Sequence, residues 1–462
     1  MRRVWWRQAV LYHVYVRSFA DSDGDGVGDL HGLIGKLDYL EWLGVDALWL
    51  SPTFPSPNVD WGYDVADYYD VDPALGTLAD LDELVAGARR RGIRVLLDLV
   101  PNHTSDRHPW FLDARSSVDS AHREWYIWTT RPNNWVSVFG GSAWEWDEGT
   151  REYYLHLFHR GQPDLNWANP AVADAFDDIL RFWFDRGIAG FRIDVANGLV
   201  KDRELRDNPP AGPADRPIEQ RIGQVVVYSG NRPEVHDVHK RFRRVADEYD
   251  GRLLIGETLV SLDQMCEYYG DDDELQLAMN FPFANAELAE LPAIVAETEA
   301  ILPAHAWPLW FGSNHDVGRL ATRWAHGDER VARCALVALL TLRGTPILYA
   351  GDEIALEDVA IPGDRRLDPA ESSRDRCRTP FPWTRSGDEW RDPWLPLGPT
   401  ERNVEDQRLD AGSTLHFIRN LIRARKEFVS EPYKEVSRNP WTWRRGAREI
   451  RVDFAAGEAT IR

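Results

Sequence analysis

The apolar positions of this chain change period in a regular way. Short runs rich in Val, Ile and Leu have the character of strands buried on both faces. They alternate with longer stretches in which apolar residues recur every three or four positions, the mark of amphipathic helices. Residues 9–16, 46–51, 94–100, 190–194, 253–257, 275–281, 308–313 and 346–350 read as strands. Residues 31–43, 78–91, 171–185, 234–249, 261–269, 285–302 and 328–342 read as helices, with another near 413–428. Eight strands separated by helices run parallel and can close into an α/β (β/α)8 TIM barrel. The rhythm fails once, after the third strand, where the chain becomes dense in Trp, Asn and Gly. A long insertion in a regular fold is usually functional. The expected organisation is therefore a barrel over 1–103 and 170–429, a small inserted domain over 104–169 and a short C-terminal β segment over 430–462.

Composition narrows the class. The 462 residues carry 54 basic and 75 acidic side chains, a net charge of −21. That argues against nucleic acid or an anionic membrane as a partner. Three widely spaced cysteines, Cys266, Cys334 and Cys377, suggest no disulfide framework and a reducing, cytoplasmic setting. The basic and aromatic N-terminus lacks the apolar core of a signal peptide, and no apolar run reaches membrane-spanning length.

Chemistry enters at Gly190-Phe-Arg-Ile-Asp194. In a strand, Arg192 and Asp194 point to the same side, and a buried Asp needs a partner for its charge. Barrel enzymes work at the C-terminal ends of their strands. There the chain places His103, Arg192, Asp194, Glu257, His315 and Asp316. Three acids with only two histidines suit a glycosidic bond better than a metal hydrolase. Such chemistry wants one charged acid, Asp194 beside Arg192, and one that carries a proton, Glu257 among like charges. Separately, Asp21, Asp23, Asp25 and Asp29, with Gly26 to allow the bend, follow the spacing of a Ca²⁺ loop, although position 12 is Gly32 where an EF-hand has Glu.

These residues lie in a series of motifs: Gly62-Tyr-Asp-Val65, Asp98-Leu-Val-Pro-Asn-His103, Gln162-Pro-Asp-Leu-Asn166, Gly190-Phe-Arg-Ile-Asp194, Gly256-Glu257, Ser313-Asn-His-Asp316 and Arg374-Asp-Arg-Cys-Arg-Thr-Pro380. In this order they resemble the α-amylase family of glycoside hydrolases and transglycosylases, most of all its bacterial α-glucosidase and oligo-1,6-glucosidase branch. The resemblance implies that Asp194 is the nucleophile, Glu257 the general acid and base, and Asp316 the stabiliser of an oxocarbenium-like transition state. It implies net retention, with the attacking pair about 5 Å apart. It also implies a glucose pocket from Tyr63, Asp64, His103, Phe158, Arg192, His315 and Arg374, with Asp64 and Arg374 paired over the non-reducing end. Asp21, Asp23, Asp25, the Val27 carbonyl and Asp29 would hold a structural Ca²⁺.

The expected activity is a retaining exo-α-glucosidase on short α-glucosides, α-1,4 linkages favoured, from a monomer or homodimer. The alternative is an α-glucosyl transferase or isomerase such as a trehalose synthase. Asn197, where related enzymes often carry His, lies on the acceptor side and bears on linkage. The C-terminal part is shorter than the family's usual β-sandwich.

Overall fold

The structure, a computed structural model, describes residues 4–370 and 373–462. The first three residues of the N-terminal stretch read above for a targeting signal lie outside that range.

The eight strand runs become Leu11–Val14, Ala47–Leu50, Arg94–Leu99, Gly190–Ile193, Leu253–Gly256, Leu277–Ala278, Leu309–Phe311 and Thr345–Tyr349. They hydrogen-bond in parallel, each to the next except the sixth to the seventh, and the last pairs with the first. A single bridge between Met279 and Leu309 joins the sixth strand to the seventh, so the sheet is a nearly closed barrel.

The continuous apolar runs are explained by two cores. Leu11, Trp49, Leu96, Ile255, Leu309 and Ile347 fill the barrel interior. Tyr12, Leu48, Leu97, Phe191, Leu254 and Leu348 face the helical layer outside. With Phe191 and Ile193 turned outward, Arg192 and Asp194 must face inward, as the two-residue period requires.

Two elements are shorter than their sequence suggests. The sixth strand pairs over two residues because the chain turns at Asn280, whose side chain accepts the Phe283 N–H of the helix Phe281–Asn285, with Pro282 in its first turn. The expected helix at 31–43 is broken after Gly35, and Lys36 leaves helical geometry with φ −105° and ψ 4°.

Between the third and fourth barrel strands lies a three-stranded antiparallel sheet of Trp128–Thr129, Trp144–Asp147 and Glu152–Leu155, with Glu152–Leu155 central. The chain ends in a four-stranded antiparallel sheet, Tyr433–Arg438, Trp441–Arg445, Arg448–Asp453 and Glu458–Ile461. Among the described residues no helix is long and apolar enough to cross a membrane.

Two buried arginines tie the C-terminal part to the barrel. The helix Glu329–Thr341 ends inside the protein, where its last carbonyls need donors. Arg425, on the helix Thr414–Phe428, donates to Leu340 O at 2.7 Å, Leu342 O at 3.4 Å and Gly344 O at 2.5 Å. Arg445 of the terminal sheet donates to Thr341 O at 2.8 Å and Val429 O at 2.7 Å. Burial, then the nearby Arg445, pushes the Arg425 guanidinium down to about 9. Replacing Arg425 by Met leaves these carbonyls without their donor. The expected cost is about 2–4 kcal/mol, read as a fall of several degrees in the thermal unfolding midpoint, and an unchanged midpoint would contradict this role.

Candidate active site

Strand register builds the centre of the site. Asp98 on the third strand lies opposite Arg192 on the fourth, and Arg192 lies opposite Ile255 on the fifth. Arg192 has no exposure to solvent. Its Nη1 donates to Asp98 Oδ1 at 2.8 Å and to Asp194 Oδ1 at 2.6 Å. Its Nη2 lies 2.7 Å from Glu257 Oε1, an ion pair without hydrogen-bond alignment. The other oxygen of Glu257 accepts the Val195 N–H at 2.8 Å. Val195 sits at φ 46°, a left-handed conformation that β-branched residues seldom adopt. This strained turn out of the fourth strand brings the Val195 amide round to Glu257.

One guanidinium thus serves three carboxylates, which changes the expected electrostatics. Burial raises the Asp194 carboxyl well above the ordinary carboxylate range, Arg192 pulls against it, and the charges of Glu257 and Asp98 add to the rise. Burial likewise pushes Asp98 up to about 6, against Arg192. Arg192, expected to keep Asp194 ionised, does pair with it, but shares its single charge with Asp98 and Glu257.

Asp316 is held differently. Its Oδ1 accepts Arg374 Nη1 at 3.1 Å and Arg378 Nη2 at 2.9 Å, and its Oδ2 lies 3.2 Å from His315 Nε2. Burial opposes ionisation, but its cationic surroundings hold the Asp316 carboxyl far below its usual range. The two arginines carry that effect, because burial keeps His315 neutral.

Asp194, Glu257 and Asp316 line one cavity of about 360 Å³, together with Asp60, Tyr63, His103, Phe158 and Arg374. Small-molecule sites start at about this size. Tyr63 donates to Asp98 Oδ2 at 3.0 Å and stacks on the His315 ring, the planes 1° apart. His103 is fixed by Asn102 and Gln162, each about 3.0 Å from one ring nitrogen, with its ring 5.1 Å from that of Phe158. Arg192 and His315 are fully buried and stand behind the cavity wall, so they position the acids.

The expected pairing of Asp64 with Arg374 does not occur. Arg374 Nη2 donates to Asp60 Oδ1 at 2.6 Å and to Asp368 Oδ1 at 2.7 Å. Asp60 Oδ2 accepts Gln162 Nε2 at 3.2 Å. Asp64 is turned into its own loop, where it accepts Ser56 Oγ, the Val59 N–H and the Asp60 N–H at 2.8, 2.9 and 3.0 Å. Both acids sit in one loop, and nothing local tells which of them faces the cavity. Asp98 was named only as the start of a motif, and its charge was not foreseen as part of the cluster. The stretch Arg216–Val226, which supplies five lining residues, carries no motif.

In the loop Asp21–Asp29, carboxylate oxygens of Asp21, Asp23 and Asp29 lie within 4.8 Å of one another. Gly26 makes the bend at φ +90°. Asp25 stands outside that triplet, and its Oδ1 accepts the Val27 N–H at 2.8 Å. Among the described residues no ion pair involves these acids, so three all-oxygen donors fit a hard cation.

A parallel barrel with paired acids at its C-terminal mouth is the architecture of an enzyme acting on glycosides. The comparisons agree. The family model "Alpha amylase, catalytic domain" matches residues 13–431. A probable alpha-glucosidase of Rhizobium meliloti (strain 1021) is 43% identical, over 92% of this chain and 83% of that protein. An oligo-1,6-glucosidase of Parageobacillus thermoglucosidasius is 39% identical, over 92% and 84%. Among solved structures, the alpha-glucosyl transfer enzyme XgtA is similar, with TM-score 0.91 and 39% identity over 97% of this chain and 90% of that one. The trehalulose synthase MutB matches at TM-score 0.89 and 32% identity, over 97% and 91%. The chain belongs to the α-amylase family and is a glycoside hydrolase.

The Asp60–Arg374 bridge yields a discriminating prediction. Asp60→Ala should lower kcat/KM on a glucose-terminated substrate on the order of 10²-fold, since it removes a charge-assisted contact in the cavity lining. Asp64→Ala should act mainly on thermal stability. Steady-state kinetics and melting of the two variants check this, and the reverse order of effects would sink the assignment.

Proposed function

We propose that the protein is a retaining, exo-acting α-glucosidase that releases glucose from the non-reducing end of short α-glucosides, α-1,4 linkages favoured. The observation that carries the reading is the Arg374–Asp60–Gln162 bridge, whose Asp60 and Arg374 line the cavity, with Arg374 also on Asp316. In this reading the bridge closes the cavity to all but one terminal glucose, where an open cleft would pass a chain. Asp194 attacks the anomeric carbon and forms a β-glucosyl ester. Glu257 gives its proton to the departing oxygen and then takes one from water. Asp316, kept charged by two arginines, faces the positive charge that grows on the ring. Two acids on one guanidinium suit the roughly 5 Å separation of a retaining pair better than the wider gap of an inverting one.

The runner-up, glucosyl transfer or isomerisation, uses the same acids and differs only in whether water or a sugar meets the glucosyl ester. The similarity to XgtA and MutB keeps it in view. An anomer-resolved NMR time course on an aryl α-D-glucopyranoside, whose single glucose is the transferred one, tests retention, and the products formed from maltose test the runner-up. α-Glucose should appear first, and Asp194→Ala should lose at least about 10⁴-fold in rate. β-Glucose first would overturn retention. Trehalose or longer saccharides in excess of free glucose would favour the runner-up.

We also propose that the Asp21–Asp29 loop binds Ca²⁺ in a structural role. A ligand that binds only the folded state at 100 times its Kd adds about 2.7 kcal/mol. Chelation with EGTA should therefore lower the melting midpoint by a few degrees, and added Ca²⁺ should restore it. No change in either direction would refute the site.

A further inference from the structure

The protein has a second cavity, of about 490 Å³, and among the described residues none lines both it and the catalytic cavity. It lies between the inserted region, which supplies Arg123, Trp128 and Glu152, and the loop after the fourth strand, which supplies Lys201, Asp202 and Leu205. A buried chain of contacts parts the two cavities. Lys201, on the wall of the second, donates from Nζ to Asn102 Oδ1 at 2.6 Å and lies 2.7 Å from Asp164 Oδ2. Asn102 Nδ2 in turn lies 3.0 Å from Nδ1 of His103, on the wall of the first.

Among the described residues its charged lining is balanced, with Arg123, Lys201 and Arg203 against Glu124, Glu152 and Asp202. Four of these are satisfied within the protein. Arg123 pairs with Glu152, Lys201 with Asp164, and Asp202 accepts Arg206 Nε at 3.0 Å. The Glu124 carboxylate and the Arg203 guanidinium are exposed and have no hydrogen bond or ion pair among the described residues. Trp128 Nε1 donates to Arg123 O at 3.0 Å and Trp167 Nε1 to Pro101 O at 2.8 Å, so both indoles show the cavity ring carbon alone. The Arg123 guanidinium covers one face of Trp128. This lining sets the class of ligand. Balanced charge exerts no net pull on an ion of either sign. A free acceptor and a free donor suit hydroxyls, each of which gives and takes a hydrogen bond. Indole carbon suits the C–H face of a sugar ring. The volume is that of a small-molecule site and takes about one or two such rings.

We propose that this cavity is a second, non-catalytic saccharide site that takes glucose or a glucose disaccharide. The choice of sugar rests on the α-glucosidase reading; the site itself uses none of the three acids. The test is equilibrium dialysis of labelled maltose against the Asp194→Ala protein, in which turnover is suppressed, with and without the further pair Glu124→Ala and Arg203→Ala. The Asp194→Ala protein should bind two maltose per chain at saturation, one in each cavity, and the added pair should reduce this to one. Both added changes fall on exposed, unpaired side chains, so the melting midpoint should stay where it was, which separates lost binding from lost folding. One maltose per chain that survives the pair overturns the second site and leaves the glucosidase reading standing. One that the pair abolishes supports the second site and counts against the glucosidase reading. Two that both survive the pair place the extra sugar elsewhere and overturn this assignment. Binding of none overturns both readings. Labelled inorganic phosphate held in place of maltose, and lost with the same pair, overturns the saccharide class.

Discussion

Everything at the mouth of this barrel depends on one buried cation. Arg192 is sealed from solvent and flanked by Asp98, Asp194 and Glu257 from three adjacent strands. A lone guanidinium in such a place would be prohibitively costly, and so would three carboxylates without it. Each side therefore requires the other, and the backbone register of the third, fourth and fifth strands supplies the spacing. Burial and the neighbouring carboxylates raise Asp98 and Asp194 together, against the pull of Arg192. Asp316 sits under the opposite balance, one acid between two arginines, and its charge is fixed. Three acids on one cation and one acid between two cations are the electrostatic frame of the site.

Behind the acids, aromatic packing makes the frame rigid. His13 stacks on Trp49 at 3.7 Å, and Trp49 in turn donates to Asp98. Tyr63 and Tyr15 lie nearly parallel to the His315 ring, at 5.3 and 5.8 Å. Trp394 continues this stack on Tyr15, and its backbone N–H reaches Gly26 O in the acidic loop. That loop is thus mechanically tied to the floor of the site while lying outside it.

The walls come from elsewhere. Asn133, Asn134 and Trp135 of the inserted region donate to Leu205, Asn208 and Arg206 carbonyls of the loop after the fourth strand. The two excursions from the barrel therefore brace each other, and both supply residues to the cavity wall. Enzymes of one barrel family differ mainly in such loops. This is a physical reason that named glucosidases and a glucosyl transfer enzyme can both be similar to one chain over most of its length.

The sequence by itself determined the barrel, because hydrophobic period is a local property and eight apolar runs separated by amphipathic helices have few other ways to bury their faces. It also determined that Arg192 and Asp194 share a side, since strand geometry leaves no choice. Tertiary structure alone decided that Asp60 and not Asp64 meets Arg374, a partner 314 positions away. It alone decided that one arginine is divided among three acids, and that a motif-free stretch around Ile218 and Ile222 walls the cavity. Those outcomes depend on which distant residues the closed barrel brings together, and no pattern of neighbours along the chain encodes that distance.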